Sequence, residues 1–99
     1  MADDISYIRR WLKKGISKDG LTLDLSNKGI RNPEALELAE NMSVPDLEII
    51  YLHTNKIKDI GLEELAESEL FETLKELWLY ENLIGNDGAR ALAESSKLG

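Results

Sequence analysis

Apolar residues along this chain recur with two alternating periods. In LEIIYLH (47–53) and LKELWLY (74–80) they stand two apart, the spacing of a strand with one buried face, and LTLDLS (21–26) does the same. Behind each run the spacing changes to three and four. Ala35, Leu38, Ala39 and Met42 follow the first, Leu62, Leu65 and Ala66 the second, and Ala89, Leu92 and Ala93 the third, which predicts an amphipathic helix each time. Asn32 is placed to cap the first of these helices, with Pro33 in the opening position where a missing N–H costs nothing. Ahead of all three, Ile5, Ile8, Trp11 and Leu12 share one face of a further helix. Asp3 and Asp4 stand at its start, and Gly15 can end it.

Sliding the chain against itself by 27 residues aligns Leu23 with Ile50 and Leu77, Leu25 with Leu52 and Leu79, and Ile30 with Ile57 and Ile84. Leu38, Leu65 and Leu92 continue the series, then Ala39, Ala66 and Ala93, then Glu40, Glu67 and Glu94. So many columns at one offset mark an internal repeat. A strand–loop–helix unit repeated in register predicts parallel strands side by side, with the helices in a second layer. The expected organisation is a helical cap over residues 1–20 and three units over 21–99, bounded at about 20–46, 47–73 and 74–99, within one domain. A membrane-surface helix is the rival reading of the first segment, since Arg9, Arg10, Lys13 and Lys14 lie on its polar side. An uncovered first unit would be costly, which favours the cap.

LEIIYLHTNKI (47–57) and LKELWLYENLI (74–84) resemble the leucine-rich-repeat signature L-x-x-L-x-L-x-x-N-x-L at every specified position. The segments IKDIGLEELAE and IGNDGARALAE resemble the helical half of its ribonuclease-inhibitor-like subclass, and the likeness runs over about residues 20–96. It implies an α/β fold: a right-handed solenoid with parallel strands on the concave face and helices on the convex face. It also implies an intracellular, cytoplasmic setting and protein binding through the strand positions. The motif asparagines, here Asn55 and Asn82, would tie neighbouring turns through backbone hydrogen bonds. The first unit departs from the signature, with Gly20 in place of the leading leucine and Lys28 in place of the asparagine.

Composition narrows the field. There is no cysteine, which removes disulfides and thiolate zinc sites. No apolar run reaches the roughly 18 residues of a membrane span, and MADDISYIRR is not a secretory leader. A net charge of −7 argues against nucleic acid. The charge is unevenly placed: residues 1–20 hold five Lys/Arg against three Asp, and the remainder seven against sixteen Asp/Glu. Such acidic units are either simply a solvated surface or an attraction for a partner with a basic patch.

If the aliphatic columns form the core, the intervening strand residues face outward in three rows: Thr22, Ile49, Glu76; Asp24, Tyr51, Trp78; and Ser26, His53, Tyr80. Ile49, Tyr51, Trp78 and Tyr80 then form one apolar and aromatic patch beside His53, rimmed by Asp24, Glu76 and Glu81. Exposed aromatics of this kind are the residues that dominate interfaces, so these positions are the expected protein-binding site. The same rings can instead only pack across strands, at about 0.2–1 kcal/mol per pair. Asp24, Ser26 and His53 carry the residue types of a hydrolase triad, but both Asp24 and Ser26 approach the imidazole from one strand, and an open sheet does not exclude water. The chain is therefore read as a binding protein and not an enzyme. Asp59–Gly61 and Asn86–Gly88 lack the ligand series of a calcium loop, and Gly85 and Gly88 lack the lysine of a phosphate loop, so no cofactor or metal is expected. GTPase activation, known for some proteins of similar repeats, has no identified transition-state arginine here. Arg90 is expected to pair with nearby carboxylates.

The last strand, residues 75–80, has no neighbour beyond it. This chain is therefore the N-terminal piece of a longer repeat protein, a homodimer joined through that edge with Leu83 and Leu98 as candidate contacts, or a short monomer that tolerates the edge. Self-assembly is the alternative to a binding role on the sheet face.

Overall fold

The computed structural model describes residues 7–41 and 44–95. The positions assigned above to Asp3, Asp4, Ile5, Met42 and Leu98 lie outside them. The chain is mixed α/β, with helix α1 (Tyr7–Gly15) followed by strand β1 (Thr22–Asp24), helix α2 (Asn32–Asn41), strand β2 (Ile49–Tyr51) and helix α3 (Asp59–Ala66). A 3-10 turn (Glu69–Phe71), strand β3 (Glu76–Trp78) and helix α4 (Asn86–Ala93) complete it. The three strands form one parallel sheet in the order β1-β2-β3. Their register pairs Thr22 with Ile49 and Glu76, Leu23 with Ile50 and Leu77, and Asp24 with Tyr51 and Trp78, so residues 27 apart sit side by side.

Each strand is shorter than its alternating run. The cause lies just past it, where Asn27, Thr54 and Glu81 adopt φ of 53°, 60° and 56°. These residues occupy one column of the repeat and turn the chain through the left-handed region, where the alternation ends. Ladder-like contacts nevertheless continue across the turn, since Asn27 N donates to His53 O and Thr54 N to Tyr80 O.

A single buried cluster lies between sheet and helices. Leu23 and Ile50 from the strands, with Leu25 and Leu52 just past them, meet Ile30, Ala35, Leu38, Ile57, Leu62 and Leu65 there, together with Leu70 and Phe71 from the 3-10 turn. Helices α2, α3 and α4 pack in sequence, and α1 lies against β1. Ile8 is fully buried in the same cluster, with Trp11, Leu12 and Ile16 half-buried beside it. The apolar side of α1 is thus occupied by protein. Ile16 also forms an antiparallel bridge to Leu23, and Ser17 N donates to Thr22 O, so the outer edge of β1 is covered. A Cβ on residue 15 would collide with Asp24 O, so only glycine lets the helix end this close to the strand.

Two side-chain ladders lock the units together. Asn55, 7% exposed, accepts from Lys28 N and Ile30 N at 3.0 Å and donates to Leu25 O, Leu52 O and His53 O. Asn82 repeats this one unit later, accepting from Ile57 N and donating to Leu52 O and Leu79 O. The second ladder corrects the sequence reading of Asn32. Its side chain does not cap its own helix: Oδ1 reaches forward to Lys58 N and Gly61 N at the start of α3. Asp59, one repeat later, likewise accepts from Gly85 N at 2.6 Å, just ahead of α4. The start of α2 is served by Glu34, which accepts from Arg31 N at 2.8 Å and pairs with its guanidinium at 3.3 Å.

Among the described residues, no helix is long and apolar enough to cross a membrane.

Candidate functional site

The open face of the sheet carries the predicted rows. Thr22, Ile49 and Glu76 are register neighbours, as are Asp24, Tyr51 and Trp78. The third row is held by the contacts beyond the strands, and His53 and Tyr80 lie nearly parallel with ring centroids 4.3 Å apart. Tyr51 tilts against Trp78 at 5.4 Å, and Trp78 meets Tyr80 edge-on at 6.3 Å. His53 lies 6.2 Å from Tyr51 and 6.5 Å from Trp78. The four rings therefore form one continuous cluster across β2 and β3. The Tyr51–Trp78 and Trp78–Tyr80 separations fall in the range where aromatic pairs attract one another beyond simple burial.

The cluster is graded in exposure. Tyr51, His53 and Ile49 are half-buried, whereas Trp78 is 42% and Tyr80 53% exposed. The half-buried residues support the rings that project. Each projecting ring has a neighbour that orients it: the Trp78 indole N–H donates to Glu76 at 3.2 Å, and Tyr80 is stacked on the imidazole. The imidazole is itself held from behind, its Nδ1 3.0 Å from Thr54 Oγ1.

Carboxylates border the cluster. Glu76 and Glu81 are exposed, one on the strand and one at the turn after it. Asp24 is also exposed, but it is engaged by Ser26, whose hydroxyl donates to it at 2.7 Å and whose backbone N–H donates at 3.0 Å. These hydrogen bonds, the hydroxyl first, hold the Asp24 carboxyl below the usual carboxylate range. Asp24 thus stays ionised, with part of its acceptor capacity already used.

The same bonds describe how Asp24, Ser26 and His53 are arranged. In a hydrolase relay the serine donates to histidine and histidine to the acid. Here the Ser26 hydroxyl is directed to Asp24, and His53 Nδ1 faces Thr54. The relay order is not formed. Among the described residues, no group of three or more His, Cys, Asp or Glu side chains is placed to hold a metal ion.

Sequence reasoning missed a second cluster of side chains. Arg31, Lys56 and Lys58 gather with Pro33 and Leu83 around a shallow groove, and Ile60 is exposed nearby on α3. The signal was present in the spacing, since Arg31 and Lys58 share one column. Arg90, expected to pair with carboxylates, is exposed on α4; ion pairs among the described residues include Arg31–Glu34 and Lys75–Glu48. Searches of protein-family models, of curated proteins and of solved structures with this chain yield no match.

Proposed function

We propose that this chain is a leucine-rich-repeat domain of the ribonuclease-inhibitor-like kind, a short right-handed solenoid that captures a protein partner on its concave strand face. Tyr51, His53, Trp78 and Tyr80 supply the contact area, Ile49 the apolar floor, and Asp24, Glu76 and Glu81 an acidic border. The observation that carries this reading is the ring cluster: two large aromatics stand about half exposed, yet are already fixed by a stack and an indole hydrogen bond. Rings that are ordered in advance lose little side-chain entropy on binding, which is what makes them effective anchors. Packing across strands accounts for Tyr51 and Ile49, which are half-buried, but not for leaving Trp78 and Tyr80 uncovered.

The acidic border selects for a partner with a basic segment, and an arginine serves best because its guanidinium can lie on an indole while pairing with a carboxylate. The role is binding and not catalysis, at an intracellular site, with no cofactor. Selection of displayed peptides against the chain tests this. Enriched sequences are expected to combine Arg or Lys with an apolar residue, and Trp78→Ala to weaken their binding by about 30-fold or more, the effect of losing a central anchor. Glu63→Ala, on the exposed side of α3, leaves binding unchanged. Peptides that bind wild type and Trp78→Ala equally would place the site elsewhere.

A further inference from the structure

The end of the sheet at β3 is unlike the end at β1. Ile50, Leu52, Ile57 and Leu65 of the middle unit are fully buried, but their equivalents Leu77, Leu79, Ile84 and Leu92 are only half-buried, and Leu83 is 58% exposed. The backbone tells the same story. Glu76 N donates to Glu48 O, while Trp78 O and Tyr80 O accept from Leu52 N and Thr54 N, so residues 76, 78 and 80 face β2. By the alternation of a strand, Leu77 and Leu79 turn their N–H and C=O groups to the free edge. Leu79 O already accepts from Asn82, but Leu52 O in the equivalent place accepts two donors, which leaves room for a second.

We propose that two copies of the chain join through this edge about a two-fold axis passing beside Trp78. The choice of a second copy follows from the opposite end. The outer edge of β1 is occupied by Ile16 and Ser17 and sealed by α1, so a head-to-tail stack finds no edge to pair with. Between copies of this chain the β3 edge therefore finds only another β3 edge, and two identical edges meet antiparallel about a two-fold. The register follows from the free groups. An axis at Leu77 pairs that residue with its own copy and joins two N–H···O=C bonds. An axis at Trp78 pairs Leu77 with the copy's Leu79 and Leu79 with its Leu77, and joins four. This second register uses every free group that the two leucines present.

The side chains agree with it. Below the sheet, leucine faces leucine where the core is now half-open. On the open face Trp78 lies beside its own copy, and Glu76 lies beside the copy's Tyr80, so no like charges are opposed. The sheet becomes six-stranded, and Tyr51, Trp78 and their copies form one row. Each ring cluster is thereby continued by the other. The pairing rests on the β3 edge and stands whether or not the rings capture a partner.

Because the chain has no cysteine, single substitutions report the register directly. In a non-hydrogen-bonded antiparallel pair the Cα atoms are about 4.5 Å apart, within the span a disulfide bridges. Wild type is expected to sediment at twice the chain mass at about 100 µM and to dissociate on dilution. Trp78→Cys is expected to oxidise to a covalent dimer. Glu76→Cys and Tyr80→Cys are each expected to stay single alone and to cross-link to one another when mixed. A wild type that sediments as a monomer at about 100 µM overturns the proposal. A dimer in which Glu76→Cys or Tyr80→Cys cross-links to its own copy overturns the register. Retained capture of the selected peptides by a monomer would sink the dimer while leaving the binding face intact.

Discussion

Asn55→Ala is the sharpest probe of what holds this fold together. The asparagine makes five hydrogen bonds to backbone groups, but they are not equally missed when it is removed. Leu52 O keeps its bond from Asn82, and His53 O keeps the bond from Asn27 N. Lys28 is exposed, so its N–H can turn to water. What remains stranded is the N–H of Ile30 and the C=O of Leu25, both on fully buried residues. Each stranded group costs about 1–3 kcal/mol, so the substitution should destabilise by about 3–5 kcal/mol with the small void included. For a domain whose whole stability is about 5–15 kcal/mol this is a large fraction.

Asn82→Ala supplies the internal standard. It strands only Ile57 N, because Leu52 O retains Asn55 and Leu79 O lies on a half-buried residue at the open end. Its cost should be roughly half as large. Urea unfolding followed by far-ultraviolet dichroism measures both. With a slope of about 1–3 kcal/mol per molar, the Asn55→Ala midpoint should fall by about 2–3 M and that of Asn82→Ala by about half as much. Equal midpoints for the two variants, or an Asn55→Ala midpoint close to that of wild type, would refute the accounting of stranded groups.

Two further outcomes follow from the contacts. Gly61→Ala should destabilise by about 1–2 kcal/mol, although alanine normally improves a helix by about 1 kcal/mol, because the new Cβ falls 2.5 Å from Asn32 Oδ1 and disturbs its bonds to Lys58 N and Gly61 N; thermal unfolding reads the sign. Asp24→Ala should lower stability at neutral pH, and the gap to wild type should narrow in acid. A carboxyl held below its unfolded value stabilises the folded chain above that value, and the contribution fades as pH falls through the folded one. Urea titrations at about pH 7 and at about pH 2–3 compare the two, and a gap that widens in acid would reverse the assignment.

How much was legible depended on whether a residue acts within its own unit or beyond it. Leu23, Leu25, Ile50 and Leu52 announced the buried face through period alone, and the structure buries all four. The rows Thr22–Ile49–Glu76 and Asp24–Tyr51–Trp78 followed from the offset once parallel pairing was assumed. Asn32 was misread because a capping residue is ordinarily matched to the helix that follows it in sequence. Its partners lie 26 and 29 residues away, and only the column Asn32, Asp59, Asn86 could have pointed to them. Strand length was overestimated for a similar reason. Alternation persists through Ser26, His53 and Tyr80, but the left-handed turn at Asn27, Thr54 and Glu81 is a backbone property that residue types as different as Asn, Thr and Glu conceal. The stack of His53 on Tyr80 and the indole bond to Glu76 depend on side-chain rotamers, which no pattern of polarity encodes.

The two junctions between units are held differently. At the junction of the first and second units, Asn55 reaches back and Asn32 reaches forward, and no ring of the cluster spans it. At the junction of the second and third, Asn82 and Asp59 make the equivalent connections, but there the rings also cross: Tyr51 to Trp78, and His53 to Tyr80. A shift of the third unit against the second therefore changes the spacing of every ring pair between β2 and β3, whereas a loosening at the first junction moves the four rings together. Adjacent units make the contacts that matter, so such shifts stay local. The side chains that hold Ile57 and Gly85 are on this view positioning residues for the aromatic face, since they fix the register in which the rings meet.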